Sequence, residues 1–141
     1  MQRLLPFMAV LLCLSACSNS NNSQGRVAVR GNVTLEGSPL EDGSIQFESL
    51  PELRPQILTG GIIRQGTFSV PAEQGLLAGQ EYTVRIRSVQ AIPGTYVETA
   101  DQMEPVPETR DIIPPQYGTA STLTVTATKK SPNVFTFDIV P

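Results

Sequence analysis

The chain reads as an all-β protein, an antiparallel sandwich of about seven strands, and three observations predict it. From Arg26 onward apolar and polar residues alternate with a period of two. Gly, Pro, Asn and Asp punctuate that alternation at turn-like intervals, and no stretch keeps a helical period for more than about a turn.

Val27, Val29, Gly31, Val33 and Leu35 share one face of a first strand, with Arg30, Asn32, Thr34 and Glu36 on the other. Gly37-Ser38-Pro39 ends it, because proline cannot donate to a ladder and glycine accepts positive φ. Asp42-Gly43 opens a second strand with Ile45 and Phe47 inward, and a third is expected near 56–63, with Gly60-Gly61 as a bend. The Gln65-Gly66 turn leads into a fourth, in which Phe68 and Val70 face one way before Pro71 closes the unit. After a turn at Gly79, Tyr82, Val84 and Ile86 alternate with Thr83, Arg85 and Arg87, which sets both arginines on the solvent face near Glu48 and Glu81. Leu123, Val125 and Ala127 alternate with four threonines, and a turn at 129–133 brings in Phe135, Phe137 and Ile139. Phe47, Phe68, Phe135 and Phe137 are the expected core anchors.

Residues 91–118 break this rhythm. They hold Pro93, Pro105, Pro107, Pro114 and Pro115 together with the acids Glu98, Asp101, Glu104, Glu108 and Asp111. The segment is expected to be a long proline-rich loop, and loops of that length in small domains are functional or disordered. Tyr96 and Tyr117 lie within it as candidate ligand-binding residues that would stack on a sugar ring or a partner surface.

Length allows one ordinary domain, expected over 26–141. What precedes it reads as an address. Residues 1–16 carry Arg3, a short apolar run and a small-residue exit, and the run is too short to span a bilayer core as a helix. Residues 18–25 hold neither a charge nor an apolar side chain and are expected to be a flexible tether.

Leu14-Ser15-Ala16-Cys17 resembles the lipobox of bacterial lipoproteins. The resemblance implies cleavage before Cys17 and acylation of its thiol, and more than one acyl chain anchors a protein firmly. An ordinary signal peptide cut near Ala16 is the alternative. Ser18 stands where an aspartate would signal inner-membrane retention, which favours the outer membrane.

The segment Val29-Arg30-Gly31-Asn32-Val33-Thr34, with Gly37-Ser38-Pro39-Leu40 and Gly43-Ser44-Ile45-Gln46-Phe47, resembles the opening of carboxypeptidase-regulatory-like domains. Gly66-Thr67-Phe68-Ser69-Val70-Pro71 and Leu77-Ala78-Gly79-Gln80-Glu81-Tyr82-Thr83-Val84 resemble later segments of the same family. Residues 113–125 and 133–139 resemble the tail of small planctomycete-type lipoproteins. The departure is Glu36, where the turn usually carries Asp or Asn. The resemblance implies a transthyretin-like sandwich serving as an accessory or interaction module.

Composition excludes several chemistries. The chain has no histidine, so Ser-His-Asp triads and His-ligated metals are impossible, and its two cysteines, Cys13 and Cys17, both lie in the N-terminal segment. Ten Lys and Arg against 13 Asp and Glu give a net charge of -3 without a basic stripe, which disfavours nucleic acid. Acids in the 91–118 segment lack a calcium-loop pattern, and no metal or cofactor is expected. The expectation is therefore a non-enzymatic, membrane-tethered structural or interaction module of the cell envelope, engaging an envelope protein. A carbohydrate- or peptide-binding module using residues 91–118 is the alternative.

Overall fold

The computed structural model describes residues 25–98 and 104–141. The expected signal segment, Cys17 and the tether up to Gln24 lie outside them. The chain runs through β1 (Arg26–Val27), β2 (Val29–Leu35), β3 (Ser38–Pro39), β4 (Asp42–Ser49), β5 (Leu58–Arg64) and β6 (Thr67–Val70). A 3-10 turn (Ala72–Gln74) leads to β7 (Leu76–Leu77), β8 (Glu81–Arg87), β9 (Val89–Val97) and β10 (Val106–Asp111). A second 3-10 turn (Pro115–Tyr117) precedes β11 (Thr124–Thr126) and β12 (Asn133–Ile139).

The main sheet follows the order β11-β8-β4-β5-β6-β2-β12, with β3 added to β2. Between β5 and β6 a single register pair, Arg64 with Thr67, joins the two halves, so the sheet curls there into two leaves. Inward residues of both leaves meet as one core that includes Val29, Val33, Ile45, Phe47, Ile63, Phe68, Val70, Tyr82, Val84, Ile86 and Ile139. The fold is the all-β sandwich expected from the alternation. Pairing is antiparallel throughout the sheet except at β12, which lies parallel to β2 from Asn133 opposite Val29 to Ile139 opposite Leu35.

The four phenylalanines form a closed cycle. Phe47 meets Phe68 at 6.0 Å and Phe135 at 6.4 Å between ring centroids, and Phe137 meets Phe68 at 6.2 Å and Phe135 at 6.3 Å. The first expected strand is split at Ala28, where the chain leaves β7 as its partner and joins β6 and β12. Asn133 makes that transfer tight: its backbone N–H donates to the Ala28 carbonyl, and its buried amide binds Thr128 and Lys130 across the preceding turn.

Two turns use left-handed backbone at a side-chain-bearing residue. Glu36 and Gly37 have φ of 52° and 82°, and Gln65 and Gly66 have 49° and 74°, the signature of tight hairpin turns that favour Asn-Gly. Glutamate and glutamine bear the Cβ clash without the local hydrogen bond that makes Asn tolerant. Glu36→Asn and Gln65→Asn are each expected to raise stability by about 0.5–1 kcal/mol, read as a higher urea midpoint at unchanged slope.

Tyr82 is fully buried, and its hydroxyl accepts the Leu77 N–H at 2.8 Å. Burial raises its phenol pKa, while the Leu77 bond and the charge of Arg26 work the other way. The unfolded chain therefore releases this proton first. Stability from Tyr82 is fully present below about pH 10, the ordinary phenol value, and is lost as pH rises through the higher folded value. Tyr82→Phe is expected to cost about 1–2 kcal/mol at neutral pH, because Leu77 loses its acceptor, and to flatten that alkaline decline in urea titrations.

Candidate functional site

Residues 91–118 are not one continuous loop: 91–97 and 106–111 are strand, and Pro115–Tyr117 is a 3-10 turn. β9 and β10 pair antiparallel as a separate two-stranded ribbon, with Val89 opposite Asp111 at the root and Val97 opposite Val106 further out. The prolines that suggested irregular chain are accommodated. Pro93 falls in a bulge between the two paired stretches, where Gly94 has φ of 77° and Thr95 Oγ1 donates to the Ile92 carbonyl at 2.9 Å. Pro107 lies opposite Tyr96 on a ribbon whose outer edges face no third strand among the described residues, so a missing N–H there costs no ladder bond.

The root is held firmly. Ser88, buried between β8 and β9, donates through Oγ to the Asp42 carbonyl at 2.5 Å, and its own carbonyl accepts the Ile112 N–H at 2.9 Å. Arg87 Nε approaches Asp111 Oδ2 at 3.4 Å, and Ile113 returns the chain to the core. Beyond this root no residue of β9 or β10 is buried. Val89 is 56% exposed, Tyr96 65% and Val97 41%.

The two tyrosines occupy different settings. Tyr96 stands on the open ribbon, whereas Tyr117, on the second 3-10 turn, is half-buried against the core, with its hydroxyl 3.5 Å from the Val140 N–H. The structure forms no aromatic pair from them among the described residues. Of the five acids in the segment, Asp101 lies outside the described residues and Asp111 serves the root. Among the described residues no three acids converge as a cation site would require.

A second surface was not singled out by sequence reasoning. On the outer face of β5, β6, β2 and β12, a groove of about 760 Å³ is lined by Arg30, Asn32, Arg64, Thr67 and Ser69, with Ile62 and Val134 at its flanks. Ile62 is 61% and Val134 56% exposed. Among the described residues neither guanidinium has an ion-pair or side-chain hydrogen-bond partner, in contrast to Arg85, which holds Glu48 at 3.1 Å. The available sequence signal was phase. Val134 is an apolar residue set between the inward Asn133 and Phe135, and Ile62 stands outward beside the inward Ile63.

No family model matches this chain. No curated protein matches it. Among solved structures it is similar to part of the crystal structure of a 9R-lipoxygenase from Cyanothece PCC8801, at 11% identity and a TM-score of 0.40. That match covers 86% of this chain and 17% of the lipoxygenase chain, and it carries no argument about activity.

Proposed function

We propose that this chain is a lipid-anchored protein of the cell envelope, placed at the outer membrane by Cys17, and that its sandwich is a non-enzymatic interaction module. The β9–β10 ribbon is the element that engages a partner. One observation carries this reading: the ribbon stands on a rigid root, buries none of its own residues and presents Val89, Tyr96 and Val97 to solvent. A two-stranded ribbon is marginal by itself in water, and a partner covering one of its faces would add the burial it lacks. Lipobox-like residues 14–17 support the anchor, and the histidine-free sequence supports a role without catalysis. The exposed ring of Tyr96 also suits stacking on a sugar, which keeps glycan binding as the second reading.

Tyr96→Ala with Val97→Asp is expected to leave stability within about 0.5 kcal/mol, since both side chains are exposed. The same pair should reduce photo-crosslinking from a probe at Thr95 to an envelope protein at least about ten-fold. Undiminished crosslinking would remove the ribbon from the reading, and glycan-array binding lost in the same variant would select the sugar. For the anchor, a palmitate analogue should label the wild-type chain and not Cys17→Ala; label retained by Cys17→Ala defeats it.

A further inference from the structure

We infer that the ribbon's partner is a second copy of this chain, and that the ribbon docks in the Arg30–Arg64 groove of that copy. The inference rests on the ribbon being the interaction element and names what it meets. Charge is the first argument. Beyond Asp111, which Arg87 holds, residues 89–111 carry Glu98, Asp101, Glu104 and Glu108 against Arg110 alone, whereas the groove offers two guanidinium groups that meet no acid among the described residues. Asp138, the acid that β12 carries on the same outer face, pairs with Thr34, four residues along from the Val134–Arg30 pair, and does not line the groove.

Spacing is the second argument. Arg64 pairs in register with Thr67, Thr67 with Asn32, and Arg30 with Ser69. The two arginines are thus two strand spacings and two residues apart, which places their Cα atoms about 12 Å from each other. Glu104 stands at a bend just before β10, and Val106 and Glu108 lie within β10. Glu104 and Glu108 are four residues apart, so their Cα atoms lie at most about 14 Å from each other, a reach that can span the arginine pair.

The apolar rims agree as well. Ile62 and Val134 flank the groove, and on the ribbon Val97, 41% exposed, pairs with Val106 on one face. Ribbon and groove are different surfaces, so the contact is head-to-tail and propagates into rings or rows. Copies tethered in one leaflet would meet at high effective concentration, which lets a weak single contact operate.

The test is sedimentation velocity on the full chain in detergent, at concentrations up to about 200 μM, with charge reversal on each surface. Wild type should associate with increasing concentration and dissociate in high salt. R30E/R64E and E104R/E108R should each weaken association at least about ten-fold, and mixing the two variants should restore it, because their reversed charges complement. A wild type that stays monomeric, an association that neither reversal weakens, or a mixture that fails to recover overturns the inference. If a monomeric wild type binds an acidic polysaccharide such as alginate and R30E/R64E does not, the groove belongs to anionic glycan and the inference fails. Crosslinking from Thr95 separates the two levels of the reading: a product with another envelope protein, without self-association, defeats self-docking and leaves the ribbon as the interaction element.

Discussion

Gly31→Val is expected to leave no folded protein, and Gly31→Ala to cost about 3 kcal/mol or more of the roughly 5–15 kcal/mol that a domain has to lose. Gly31 sits on the inner face of β2, in register with Phe68 on β6 and Phe135 on β12. A Cβ there would run into the Phe135 carbonyl and stand 2.8 Å from Phe68 Cε1. Neither neighbour can move freely, since both belong to strands hydrogen-bonded to β2 and both rings belong to the four-phenylalanine cycle. Gly37 is the control. It has φ of 82° with nothing near its missing Cβ, so Gly37→Ala meets backbone strain without a clash and should cost about 1–2 kcal/mol. Urea denaturation of Gly31→Ala and Gly37→Ala compares the two directly; equal losses would show that close packing at Gly31 is not what requires glycine there.

Gly31 also marks how far the sequence could be read. Alternation placed it correctly on the inward face with Val29 and Val33, because period two assigns faces without knowledge of partners. It carried no information on which strands lie beside β2. The parallel match of β12 with β2 depends on the return path of the whole chain, and the proximity of Phe135 to Gly31 follows from that register alone. The groove was hidden for the same reason: Arg30 and Arg64 are distant in sequence and become neighbours only when β6 is inserted between β2 and β5.

The ribbon was misread by a different route. Proline at 93, 105 and 107 and the absence of regular alternation argue against a strand buried in a sheet, and β9 and β10 are not buried. Alternation reports burial on one face, so a ribbon exposed on both gives no such signal. By contrast, the outward placement of Arg85 and Arg87 was legible, with Glu48 and Glu81 left open as partners; Arg85 takes Glu48, and Arg87 takes Asp111 instead.

Phe47→Ala should be the most damaging truncation in the core, at about 3–5 kcal/mol. Phe47 is wholly buried and is the member of the aromatic cycle contributed by the leaf containing β4; Phe68, Phe135 and Phe137 come from β6 and β12 in the other. Removing its ring breaks the contacts at 6.0 Å and 6.4 Å, which are the two in the cycle that cross between leaves. Phe137→Ala also removes two ring contacts, but both are to residues on its own leaf, and Phe137 is slightly exposed. The leaves are joined in the main sheet by one register pair at the β5–β6 turn, so side-chain packing carries the burden of holding them together. Phe47→Ala is therefore expected to exceed Phe137→Ala by about 1 kcal/mol, the scale of an aromatic pair beyond its buried area. A double-mutant cycle of Phe47→Ala with Phe68→Ala should give a coupling of about 0.5–1.5 kcal/mol; additivity of the two losses would show that the cycle is a set of independent buried rings and that the leaves are held by burial alone.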